Sequence, residues 1–138
     1  MMKATVIVDN IKNGEIAAEW GLAVFIEYNG KKILLDTGAS DLFVENSKKL
    51  CLPLEEVDAA VLSHAHYDHA NGMEAFFRLN DKAKFYVQKS CSDNCYAKRW
   101  IFRKYIGIPR GIIERFGDRI EMVDGTRVID GGISIIPH

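Results

Sequence analysis

Three of the four histidines in this 138-residue chain fall within six residues, in the stretch Ser63-His64-Ala65-His66-Tyr67-Asp68-His69. A carboxylate, Asp68, sits between the second and third. Imidazole nitrogens and a carboxylate oxygen at such short range are good ligands for a divalent transition metal. In extended backbone, residues two apart project the same way, so His64 and His66 can grip one cation together. A turn beginning near Tyr67 swings Asp68 and His69 toward a second position beside the first. Two cations about 3.5–4 Å apart can share a water and turn it into hydroxide near neutral pH. A polar surface loop rich in histidine would explain any one of these residues; their joint order after a buried strand favours the metal.

The elements around the stretch fit that purpose. Val57-Asp58-Ala59-Ala60-Val61-Leu62 is a short apolar run of strand type. Asn71-Gly72 breaks the chain before a helical pattern begins at Met73. The histidines therefore belong on a loop just past a strand end, the edge of an α/β sheet where ligands usually bind. Upstream, Lys31 to Leu35 reads as a strand that delivers Asp36. In the metal reading, Asp36 is a buried carboxylate behind the ligands, holding an imidazole or a backbone N–H in place. In a second reading, Leu34-Leu35-Asp36-Thr37-Gly38-Ala39-Ser40 resembles the catalytic loop of retroviral-type aspartic proteases, where two copies each give one Asp. That family is all-β, whereas helical patterns are plentiful here.

His64-Ala65-His66-Tyr67-Asp68-His69 resembles the H-x-H-x-D-H signature of the metallo-β-lactamase-fold hydrolases. Leu34-Leu35-Asp36-Thr37-Gly38 resembles that family's strand-Asp-Thr-Gly segment, and the order of the two, with a helix between, also matches. From Gly21 to Pro109 the pattern is most similar to a branch related to the dihydropterin/ribofuranosyl-aminobenzene-phosphate synthases. The resemblance implies an αββα sandwich with one or two metals, usually zinc, at its edge. His64 and His66 would then bind the first metal, and Asp68 and His69 the second. Asp68 would also orient the attacking water as the catalytic residue. The implied activity is hydrolysis of an ester, phosphoester or similar bond by a metal-bound hydroxide.

The implied fold class is α/β: a mixed β-sheet with flanking helices, one domain over residues 1–138, amounting to about half of such a sandwich. In the family the second half supplies further metal ligands. Here only His138 remains as a candidate, at the very end. Three expectations follow: the N-terminal half of a longer hydrolase, a half-fold completed by a second copy, or a non-catalytic metal-binding remnant. Each leaves a sheet face to be covered, so self-association is expected in all three.

Composition narrows the partners. Almost half the residues are hydrophobic, and 18 basic residues nearly cancel 19 acidic ones. Nothing in that balance calls for nucleic acid, an anionic membrane or an acidic partner; a small-molecule substrate is the expected partner. With no span-length apolar run and no secretory h-region, a cytoplasmic location is expected. Cys51, Cys91 and Cys95 suggest no disulfide framework. Histidine and aspartate ligands suit zinc, and also iron or manganese.

Read in order, Ala4 to Val8 is a strand and Ile11 to Trp20 a loop, with Trp20 available to line a pocket. Leu22 to Tyr28 and Lys31 to Leu35 form a hairpin about Asn29-Gly30. Ser40 is a plausible N-cap for a helix burying Leu42, Phe43 and Leu50. Leu54 to Val57 is a helical turn. Met73, Phe76 and Phe77 make the packed face of a helix ending near Asn80. Lys84 to Gln88 is a strand. Ser92 to Ile106 reads as a basic, aromatic helix, ordinarily a solvated basic face over an aromatic underside, that could also guide an anionic substrate or bind a phosphate. Pro109 to Phe116 is a short helix, and strands at 120–123, 127–129 and 133–136 close the chain, with turns at Asp124-Gly125 and Gly131-Gly132.

Overall fold

A computed structural model describes residues 1–91, 95–130 and 132–137. Along the chain the elements are β1 (Met2–Val8), β2 (Ala23–Tyr28), β3 (Lys31–Leu35), α1 (Leu42–Lys49), β4 (Ala59–Val61), α2 (Tyr67–Ala70), α3 (Met73–Leu79), β5 (Lys84–Gln88), β6 (Tyr96–Arg99), β7 (Phe102–Tyr105), α4 (Ile112–Phe116), β8 (Ile120–Val123), β9 (Arg127–Asp130) and β10 (Ile133–Ile135). Asn29 and Gly30 both take positive φ, 48° and 77°, and reverse the chain between β2 and β3 as an Asn-Gly turn should. β1 adds antiparallel to β2, while β4, β5 and β8 add in parallel beyond β3. The result is one mixed sheet in the order β1-β2-β3-β4-β5-β8.

Register explains where the core sits. Phe25, Leu34, Ala60, Phe85 and Ile120 are cross-strand neighbours, so they share one face of the sheet. All five are buried, in one cluster with Phe43 of α1, Met73, Phe76 and Phe77 of α3, and Ile112 of α4. Phe85 meets Phe76 and Phe77 at ring distances of 5.7 and 5.8 Å, and Phe77 stacks on Phe116.

The next register row, Val6, Val24, Leu35, Val61 and Tyr86, lies on the opposite face. There the β9–β10 hairpin covers the β4–β5 side, pinned by a Lys31–Asp130 ion pair at 2.8 Å. A cavity of about 130 Å³ remains between Val61, Tyr86, Val123, Ile135 and Ile136. Toward β1 the same face is open, and Val6 is 51% exposed. No helix among the described residues is long and apolar enough to cross a membrane.

Two readings of the chain need correction. The helix expected from Ser92 to Ile106 is, over 96–105, the antiparallel hairpin β6–β7. Its aromatics pair across strands, Tyr96 against Tyr105 at 5.4 Å, and Trp100 at φ 59° turns the chain at the tip. Ser92 itself lies outside the described residues, as does Gly131 of the final turn. The cap of α1 is also displaced by one: Asp41 stands at the N-cap without a side-chain cap bond, while Ser40 Oγ still accepts from Leu42 N–H at 3.1 Å.

Candidate metal centre

Parallel pairing of β3 with β4 sets two chain exits side by side. Leu35 partners Val61, and Asp36 N–H donates to the Val61 carbonyl at 2.9 Å. Asp36 then turns through φ 59°, a left-handed conformation that Asp tolerates better than most residues. Its carboxylate is thereby aimed at the segment after β4. Oδ1 accepts from Ser63 N–H at 2.7 Å, and Oδ2 accepts from Ser63 Oγ at 2.6 Å and from His69 Nδ1 at 2.7 Å. Asp36 is fully buried.

This arrangement sets the tautomers of two imidazoles. With Asp36 ionised, its oxygens only accept, so His69 carries its proton on Nδ1 and leaves the Nε2 lone pair free. Ser63 has a single hydroxyl proton, which goes to Asp36. Its oxygen can then only accept from His64 Nδ1, 3.0 Å away, and His64 Nε2 is freed as well. Burial, reinforced by the neighbouring His69 and His66 rings, holds His64 below the usual imidazole range and so favours its neutral, ligating form.

The remaining candidates collect at the same place. His66 is the N-cap of α2, and the helix that begins at Tyr67 carries Asp68 and His69 round to the histidine in front of them. Ring centres of His64 and His66 lie 4.7 Å apart, and those of His64 and His69 4.1 Å apart. Asp68 Oδ2 is 3.6 Å from His69 Nε2. Three imidazoles, two with Nε2 freed, beside one carboxylate suit a divalent transition metal in donor chemistry. Among the described residues, no three such side chains stand as a finished cage around one point. His138 lies outside the described residues.

Backbone contacts hold the loop from behind. Thr37 donates to the His69 carbonyl through both N–H, at 2.8 Å, and Oγ1, at 3.0 Å. Asn71 Nδ2 donates to the Ala39 carbonyl. Glu19 accepts from the N–H groups of Ala39 and Ser40 and from Ser40 Oγ, fixing the segment after Gly38. Gly21 sits at φ 138°, and a Cβ there would fall 2.0 Å from the Asp68 carbonyl oxygen. Neither Glu19 nor Gly21 was singled out by sequence, because an isolated Glu or Gly in a loop carries no local signal of what lies across from it.

Asp36 is engaged on both oxygens with Ser63 and His69, so it has no surface to share with a second Asp as a protease dyad needs. Trp20 is mostly exposed. Cys51, Cys91 and Cys95 are free thiols, and burial, with Cys95 nearby, pushes the Cys91 thiol up.

A sequence model described as the metallo-beta-lactamase superfamily matches residues 21–138. An uncharacterized protein of Methanocaldococcus jannaschii is 32% identical over 134 residues, covering 94% of this chain and 50% of its own length. Among solved structures, a metal-dependent hydrolase of the beta-lactamase superfamily, Tm1679, superposes with a TM-score of 0.72 at 22% identity, covering 99% of this chain and 48% of that one. A Cronobacter sakazakii metallo-beta-lactamase carrying HARLDQ-motif substitutions gives 0.57 at 19% identity, over 82% of this chain and 45% of its own. These structural likenesses concern the fold. The chain spans about half the length of the proteins it matches.

Proposed function

This chain belongs to the metallo-beta-lactamase superfamily, and from that premise we propose that it is the metal-binding half of a metal-dependent hydrolase acting on an ester, phosphoester or similar bond. The observation that carries the reading is the Asp36 carboxylate, which holds Ser63 and His69 and, through Ser63, His64. A buried carboxylate that frees two neighbouring Nε2 atoms is the arrangement a metal-ligating histidine pair needs.

In this reading His64 and His66 hold one cation, with Asp68 and His69 beside them for a second, zinc being the metal best matched to these donors. When bound, the cation supplies Lewis acidity, polarising the scissile group and lowering the pKa of water. The protein's own part is orientation and proton handling. Asp68, within α2, accepts the proton of the attacking water at a carboxylate oxygen and aims that water at the substrate. Thr37 ties down the His69 carbonyl of that helix and Gly21 leaves room for the Asp68 carbonyl, so the Asp68 carboxylate meets the water from a held backbone.

The experiment is hydrolysis of a nitrophenyl phosphodiester and a nitrophenyl ester by the zinc-loaded chain. Turnover is expected, lost on chelation, and reduced about 10²–10⁴-fold in Asp68→Asn while the zinc held by His64 and His66 is retained. Tight zinc binding with no turnover, unchanged by Asp68→Asn, would assign the chain to the non-catalytic metal-binding alternative.

A further inference from the structure

The chain is close to neutral, with a formal net charge of −1, yet one projecting element departs from that balance. Residues 95–106 include Lys98, Arg99, Arg103 and Lys104 and no acidic residue. In β6–β7, Lys98 lies opposite Arg103, Arg99 opposite Phe102 and Ala97 opposite Lys104. Side chains alternate across a strand, so Lys98 and Arg103 share one face of the hairpin while Arg99 and Lys104 share the other. Cations therefore surround the stem on both sides. At the tip, Trp100 and Ile101 of the turn and Phe102, the first residue of β7 and level with Arg99, are exposed at 90%, 88% and 74%.

The stem is well built although its tip is not covered. Arg103 lies over Tyr96 at 5.0 Å and Arg110 over Tyr105 at 4.6 Å, and Ile106 N–H closes the base on the Cys95 carbonyl at 2.9 Å. Three large apolar side chains held in water by a firm stem mark an interaction site. The layering says which kind. A protein groove gripping one face of the hairpin would leave the cations of the other face without partners. A plane of anions over an apolar layer satisfies the tip and both faces together.

We propose that the β6–β7 hairpin docks this protein on an anionic lipid surface. Trp100, Ile101 and Phe102 enter the outer acyl region, while Lys98, Arg99, Arg103 and Lys104 lie among the headgroups. The Ile106 carbonyl at the hairpin base accepts from Tyr67 N–H at 2.8 Å, at the start of the helix that carries Asp68 and His69. Docking thus holds the histidine loop near the bilayer. Whole-chain charge balance averages this patch away, which is why composition alone pointed to no membrane partner.

The test uses the chain with Trp20→Phe, which leaves Trp100 as the one indole of the two present. It is mixed with phosphatidylcholine vesicles, with or without about 30% phosphatidylserine. Expected are a blue shift of Trp100 emission and co-sedimentation at least about tenfold stronger on the anionic vesicles, falling as salt rises. Paired Lys98→Gln and Lys104→Gln should weaken binding by about 25-fold, roughly fivefold for each cation. Joint Trp100→Ser, Ile101→Ser and Phe102→Ser should abolish it with the thermal unfolding midpoint unchanged. Equal binding to both vesicle types, or binding indifferent to these substitutions, overturns the proposal. So does a tip-dependent dimer in sedimentation velocity without vesicle binding, which would give the tip to a second copy.

Discussion

Asp36 accepts twice from Ser63 and once from His69. Asparagine has the same shape but offers one accepting oxygen, so Asp36→Asn leaves at least one of those donors facing an N–H₂ group. Zinc affinity should drop by about 10–100-fold, read by competition with a chromophoric chelator. Ser63→Ala removes the hydroxyl that joins Asp36 to His64, and leaves the backbone N–H at position 63 and His69 on the carboxylate. It should free that ring's tautomer, visible in side-chain ¹⁵N shifts, and leave His69 with its proton on Nδ1. A His69 tautomer that moves together with His64 in Ser63→Ala would contradict the separate routes described for the two rings. Gly21→Ala acts on the backbone instead. It adds a Cβ at φ 138° within 2.0 Å of the Asp68 carbonyl. A loss of about 2 kcal/mol or more in urea unfolding is expected; a change within experimental error would mean the loop relaxes freely.

Elements differ in how openly the chain declares them. The β2–β3 hairpin was legible because Asn29-Gly30 sits between two apolar runs. The α3 face was legible because Met73, Phe76 and Phe77 recur at helical spacing. The six-residue histidine motif was legible because its donors are contiguous. The 96–105 segment was not: its aromatics and cations satisfy a helical and an alternating pattern alike, and the deciding feature is a left-handed Trp100, for which tryptophan gives no local cue. Buried amides were silent for another reason, since their partners are remote. Asn80 Nδ2 donates to the carbonyls of Leu54 at 3.1 Å and Val57 at 2.9 Å, while its Oδ1 accepts from Ala83 N–H at 2.7 Å. It thereby ties the entry of β4 to that of β5. Asn80→Ala takes the amide from the Val57 carbonyl and the Ala83 N–H, while the Leu54 carbonyl keeps the Val57 N–H, and should cost about 2–3 kcal/mol in urea unfolding. A cost below about 0.5 kcal/mol would mean that water replaces the amide there.

One face of the sheet is thickly covered by three helices and the other only in part by β9–β10. Met2 and Val6 of β1 are exposed on that face, an association liability when nothing lies across them. Sedimentation velocity on the 138-residue chain should show concentration-dependent self-association, weakened by Val6→Lys; a strict monomer at high concentration would refute it. The fold brings a strand end, a four-residue helix and a buried carboxylate to one edge, and each of them serves the histidine loop. Calorimetric titration of the metal-free chain with zinc tests that arrangement most directly. Expected are one or two equivalents bound per chain, falling to weak or no binding in His64→Ala combined with His66→Ala. A folded chain that takes up no zinc, or takes it up equally after both histidines are removed, would show that the loop is not a metal site.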